Sequence, residues 1–99
     1  MPVERLVGLY VTDDESYQAY RDAMTPILTA RGGGFGYDFK VAEMLKSRTD
    51  APINRVFTIY FPDEETLKGF FSDPEYLAIR QRHFAPAVTH VTEMAKYER

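Results

Sequence analysis

Laid over itself at an offset of 50, the 99-residue sequence matches in two separate stretches without a change of register. Arg5, Tyr10, Asp13 and Glu15 fall on Arg55, Tyr60, Asp63 and Glu65. Leu6, Val7, Leu9 and Val11 fall on Val56, Phe57, Ile59 and Phe61. The likeness continues with Ser16 on Thr66 and Tyr20 on Phe70. Farther on, Val41–Lys46 lies over Val91–Lys96 with four identities in six positions. An unbroken register across both stretches points to a structural repeat. Chains of this length hold one core, so the expected organisation is a single domain, 1–99, made of two pseudo-repeats at about 4–46 and 54–97.

Each repeat reads as strand, helix, strand. Residues 4–12 and 54–61 are rich in Val, Leu, Ile, Phe, Tyr and Thr and too short for typical helices, which predicts strands. Acidic triplets follow each, Asp13-Asp14-Glu15 and Asp63-Glu64-Glu65, where a helix N-terminus favours negative charge. Thr12 and Glu15 have the spacing of a capping box. In the first helix Tyr17, Tyr20, Met24, Ile27 and Leu28 recur at helical spacing, Pro26 predicts a kink, and Gly32–Gly34 end it. The second buries Leu67, Phe70 and Phe71 and breaks near Ser72. It restarts with Asp73 as cap and Pro74 in the first helical position, presenting Tyr76, Leu77, Ile79 and Phe84 on its apolar face. The second strand of each repeat is expected over the matched Val41–Lys46 and Val91–Lys96 segments.

Two such units predict an α+β, ferredoxin-like β-α-β β-α-β sandwich: a four-stranded antiparallel sheet with helices on one face. Val7, Leu9, Val11, Phe57, Ile59 and Phe61 make one bulky face suited to those helices. The other face carries Leu6, Gly8, Tyr10, Val56, Thr58 and Tyr60, too apolar to be left in water. Its economical cover is the same sheet of a second chain, which predicts a homodimer through the sheet face.

A strand ending Phe61-Pro62, an acidic helix start, an aromatic pair, then Ser72-Asp73-Pro74-Glu75-Tyr76 followed by Arg80, resembles domain-of-unknown-function family 1330. The similarity covers most of the chain, including the tyrosine-bearing first helix, the Gly-rich turn and the Val41–Lys46 segment. Where members commonly carry a second arginine shortly after the first, this chain has Arg82 and His83. The resemblance implies a small protein of the dimeric α/β-barrel group with a sheet-to-sheet dimer, and implies no activity.

Several function classes are disfavoured by composition. The longest mostly apolar stretch, around Val56–Phe61, is far shorter than the roughly 20 residues of a membrane span, so no membrane association is expected. No export signal opens the sequence and no cysteine occurs, which makes a reducing cytoplasm the expected location. A net charge of −3 offers no general attraction to phosphate backbones. Gly34-Phe35-Gly36-Tyr37 echoes the stacking strand of RNA-recognition motifs, but Gly33 stands where a basic residue belongs and Asp38 where an apolar one does. The segment also falls on the second strand, not the third, and no nucleic-acid partner is expected. Gly32–Gly36 lacks the Lys-Ser/Thr of a phosphate loop and follows a helix, so it reads as a helix stop.

Chemistry is best sought where the repeat is broken, since residues matched in both halves serve the fold. His83 overlies Gly33, Arg80 overlies Ala30, Asp38 overlies Val88 and His90 overlies Lys40. A histidine shuttles protons near neutral pH, and an arginine one turn away holds a carboxylate or enolate. Three apart on a helix, Arg80 and His83 share a face. They form the candidate catalytic pair, with Tyr76, Tyr60 and Asp38 as candidate substrate-binding residues. The bland alternative is that Arg80 and His83 reach water from the rim of the apolar face, and that His90 is packed or at an interface. Two histidines seven apart, no cysteine and carboxylates gathered at helix starts do not supply a zinc site, and no metal or tightly bound cofactor is expected. Two readings follow. One is a protein that binds or transforms a small aromatic or carboxylate-containing molecule. The other is a noncatalytic dimeric structural or regulatory domain whose aromatics only fill core and interface.

Overall fold

The β-branched and aromatic runs that open each repeat pair with one another at the centre of a sheet. The computed structural model describes all 99 residues. β1 (Val3–Val11) lies antiparallel to β3 (Arg55–Phe61), with Val7 opposite Phe57 and Leu9 opposite Arg55. β2 (Gly34–Lys40) flanks β3 and β4 (Val88–Glu98) flanks β1, giving the order β2-β3-β1-β4 with every pair antiparallel. Between strands run α1 (Asp14–Ala30), α2 (Glu64–Phe71), α3 (Pro74–Ile79) and one π-helical turn, Arg80–Phe84. This is the expected α+β sandwich.

Residues alternate across β1 and β3. Val7, Leu9, Val11, Phe57, Ile59 and Phe61 meet Tyr17, Tyr20, Met24 and Leu28 of α1 and Leu67, Phe70 and Tyr76 of the second helical segment, all in one buried core. The paired helix starts are built alike. The Asp13 side chain accepts from the Ser16 amide at 3.1 Å and that of Asp63 from the Thr66 amide at 2.7 Å, satisfying amides with no intrahelical partner. Thr12 does not serve as the cap predicted for it. The aspartate one residue later is a stronger acceptor, and Thr12 Oγ1 donates instead to the Ala87 carbonyl. α1 runs through Pro26 to Ala30, with Thr25 Oγ1 donating to the Arg21 carbonyl one turn back. Gly32, at φ +79°, then turns the chain into β2.

The second strand departs from prediction. Residues 41–46 form no strand, although their counterparts Val91–Lys96 lie inside β4. The true equivalence is visible in the ion pairs. Arg5 on β1 pairs with Glu93 of β4, which lies opposite Val7, and Arg55 on β3 pairs with Asp38 of β2, which lies opposite Phe57. Glu93 stands 55 residues after Asp38, not 50. The slip arises between the strands, where α1 is matched by two helices and a π-turn; constant offset therefore fails beyond them.

Released from the sheet, residues 41–54 return to β3 over the outer sheet face. Ile53 sits against Gly8 so closely that a Cβ there would come within 2.9 Å of its side chain. Asn54 closes the segment. Its side-chain Oδ1 accepts from the Val11 amide and its side-chain Nδ2 donates to the Val11 carbonyl, both at 2.8 Å, as a neighbouring strand would. No helix is long and apolar enough to cross a membrane.

Candidate functional site

Between the inner sheet face and α1, α3 and the π-turn, the core leaves a cavity of about 210 Å³. Its walls are Val7, Leu9, Phe57, Ile59 and Val91 from the sheet, Tyr17, Tyr20 and Met24 from α1, Phe71 from α2, and Tyr76 and Phe84 beyond. Arg5, Arg21 and Arg80 also line it, and no carboxylate does. The cavity reaches solvent near Arg80 and Val91, both exposed.

The three arginines are not equivalent. Arg21, 8% exposed, lies 3.8 Å from the centre of the Phe35 ring, donates from Nε to the Tyr17 hydroxyl at 2.8 Å and pairs with Asp38. Arg5 rests over Phe71 and pairs with Glu93 at 3.3 Å. Arg80 lies over the Phe84 ring at 4.7 Å and makes no ion pair. Exposed at the mouth of the cavity and without an ion pair, Arg80 is free to meet an anionic occupant there.

Two phenols complete the site. Tyr20 and Tyr76, 5% and 3% exposed, bring their hydroxyl oxygens to 2.8 Å. Burial pushes both hydroxyls above the ordinary tyrosine range; at Tyr76 the hydrogen bond from Tyr20 and the charges of Arg80 and Arg5 oppose it. At Tyr17 burial again raises the hydroxyl, opposed by Arg21.

Of the residues singled out from sequence, the fold brings Tyr76 and Arg80 to the cavity and leaves three elsewhere. The π-turn, closed by the Ala85 amide on the Arg80 carbonyl, winds more widely than an α-helix. Arg80 and His83 therefore do not stack as α-helical spacing predicts. His83 lies outside the lining, its carbonyl held by Ser16 Oγ at 2.8 Å. Leu77, expected on the buried face, is 46% exposed. Tyr60 stands on the outer sheet face beneath Arg99, with the sheet between it and the cavity. Asp38 has both carboxylate oxygens engaged by Arg55 at 2.8 Å and faces Arg21 on its other side. The Arg55 hydrogen bonds, aided by Arg21, hold its carboxyl below the usual range against partial burial. Asp38 is the repeat partner of Glu93 rather than a break in the repeat. His90 is exposed on β4, its Nδ1 2.9 Å from Thr89 Oγ1, with Tyr10 edge-on to its ring.

Tyr20, Arg5 and Arg21 had no place in the sequence-derived site. The signal for Arg5 was present: a cation in the inward series Val3, Arg5, Val7, Leu9, Val11. For Tyr20 it was the buried stripe of α1, because a phenol inside a core needs a partner for its hydroxyl.

Residues 6–98 match the family model for the domain of unknown function DUF1330. No curated protein is significantly similar to the chain. A crystal structure of a protein of unknown function from Rhodopseudomonas palustris superposes with a TM-score of 0.82 at 19% identity, covering 99% of this chain and 82% of the other. A DABB-family protein with a ferredoxin-like fold from Mesorhizobium loti gives 0.67 at 16% identity, over 99% and 96%. A protein of unknown function from Thermobifida fusca, described as dimeric and ferredoxin-like, gives 0.63 at 11%, over 100% and 92%. At these identities the likeness is one of fold.

Proposed function

Because the chain belongs to the DUF1330 family, which brings no activity with it, function has to be read from the site, and we propose that the protein binds a small aromatic anion in its core cavity. The observation that carries this reading is the composition of the wall: aromatic and aliphatic side chains, three arginines and no acid. Size narrows the class. A dry cavity of about 150 Å³ accommodates benzene, whereas drug-sized ligands need roughly 300 Å³ or more. The 210 Å³ here suits one ring with a small charged substituent. Arg80 supplies the uncompensated charge and Phe84, Tyr17 and Phe57 the ring contacts.

Titration calorimetry with benzoate and benzamide tests this. Benzoate is expected to bind with an affinity that falls as salt rises, and Arg80→Gln to weaken it about tenfold, in line with losing one charge-assisted hydrogen bond. Benzamide, the same shape without charge, is expected to be indifferent to the substitution. Equal binding of both probes, or of neither, would leave the noncatalytic dimeric domain as the better reading.

The outer sheet face supports a homodimer. Tyr37 and Phe39 stack there with centroids 5.9 Å apart while 65% and 54% exposed, beside Val56 and Tyr60. Relatives of the same fold from Thermobifida fusca and Jannaschia are described as dimeric. Sedimentation at micromolar concentration is expected to give a dimer, and Tyr37→Lys with Phe39→Lys a folded monomer. A wild-type monomer would end this proposal.

A further inference from the structure

Tyr20 and Tyr76 each carry one O–H hydrogen, and a single hydrogen bond joins them. One hydrogen is therefore used within the pair and the other is left over, whichever phenol donates. Neither hydroxyl has another protein acceptor in hydrogen-bond reach. The remaining hydrogen is free for an oxygen in the cavity, a capacity that two phenylalanines filling the same space would lack. Both hydroxyls belong to residues lining the cavity, and Arg80, also in the wall, has no counter-ion. The two features suit the same occupant: an oxygen that accepts a hydrogen bond and carries negative charge.

We infer that the Tyr20–Tyr76 pair is the oxyanion subsite of this cavity, Tyr20 donating to Tyr76 and Tyr76 donating to a phenolate or enolate oxygen of the ligand, with Arg80 as counter-charge. The direction of the chain follows from charge. Arg80 follows Tyr76 by one helical turn, its backbone N–H on the Tyr76 carbonyl, and both side chains line the cavity; a cation on that side favours Tyr76 as the donor to an anion, in keeping with the lowering influence of Arg80 on its hydroxyl. Tyr20, also buried in the core, is the second donor of the chain, and hydrogen bonds in such a chain polarise one another. The assignment rests on the cavity reading above and deepens it from any small aromatic anion to one whose charge lies on an oxygen attached to, or conjugated with, the ring.

The test uses two probes of one shape on the intact protein: 4-nitrophenolate, which has the oxyanion, and nitrobenzene, which lacks it. In water the phenolate oxygen is fully hydrogen-bonded, and its visible band moves to longer wavelength as those bonds are lost, so the band of the bound probe reports donors at the oxygen independently of affinity. Wild-type protein is expected to bind both probes and to hold the bound 4-nitrophenolate band close to its position in water. Tyr76→Phe is expected to move the bound band to longer wavelength and weaken 4-nitrophenolate about tenfold or more while leaving nitrobenzene within twofold. Tyr20→Phe keeps the Tyr76 hydrogen and is expected to weaken 4-nitrophenolate less, with a smaller move of the band. If both probes bind and Tyr76→Phe leaves the bound band where it is, or weakens both equally, the oxyanion subsite is wrong and the cavity reading stands. If neither probe binds the wild type, both are wrong.

Discussion

Phe70→Ala is expected to lower the free energy of unfolding by about 3–5 kcal/mol, the cost of removing a fully buried ring whose site cannot collapse. The ring is 0% exposed and packed on all sides by other rings: Phe61 at 5.5 Å, Phe71 at 5.0 Å and Tyr76 at 4.4 Å between centroids. Three aromatic neighbours held by β3 and two short helices do not shift far enough to refill the space. Small domains have about 5–15 kcal/mol in total, so the variant should lose a large share of it, read as a drop in urea midpoint without a change in slope. Tyr76 leans on this ring, so the oxyanion chemistry proposed for the cavity should weaken with it. A loss of less than about 1 kcal/mol would show that the cluster is looser than its geometry implies.

Asp38→Asn is expected to cost about 1–2 kcal/mol at neutral pH, above the range of a surface pair because both arginines are largely buried, and well below that of a buried pair because the carboxylate itself is exposed. Two guanidiniums depend on it: Arg55, with its side chain 13% exposed, and Arg21, at 9%. Without the carboxylate both lose their counter-charge. The pH dependence follows from the same contacts. The folded carboxyl titrates below its ordinary value because Arg55 and Arg21 favour its charged form. Its contribution is therefore complete above about pH 4, the usual aspartate range, and is lost as pH falls through the depressed value. Urea midpoints of wild type and variant should differ at pH 7 and draw together as the pH falls below the usual aspartate range. A gap that stays constant with pH would assign the loss to packing instead of charge.

Much of the architecture was legible because it rests on short-range patterns. Alternation in Val7-Gly8-Leu9-Tyr10-Val11 and its counterpart in β3 marked the central strands and their two faces. Asp73-Pro74 marked the restart of the second helix, and the structure has Pro74 in the first helical turn with the Asp73 side chain accepting from the Glu75 amide at 2.8 Å. Gly32–Gly34 marked the end of α1. The misses share a cause. Val41–Lys46 has a strand-like likeness to Val91–Lys96, but β3 is already flanked by Gly34–Lys40, and a strand requires a free edge as well as propensity. Counting at a constant offset then put Asp38 opposite Val88 and made a structural ion pair look like a break in the repeat. His83 was placed by α-helical angles at the one turn that is not α-helical.

By itself, the sequence determined the central strands and the helices, which strand faces turn inward, and that Tyr76 and Arg80 share the side of their helical segment that meets the core. These properties depend on neighbours within a few residues, where backbone geometry sets the spacing. Only the tertiary structure decided that Tyr20, 56 positions from Tyr76, shares a hydrogen bond with it, that Arg5 and Arg21 join Arg80 around one cavity, and that Asp38 and Tyr60 stay out of it. Such pairings are fixed by how α1, α3 and the sheet pack, and by a single π-turn that keeps Arg80 and Phe84 at the cavity but leaves His83 outside it. No local periodicity encodes either.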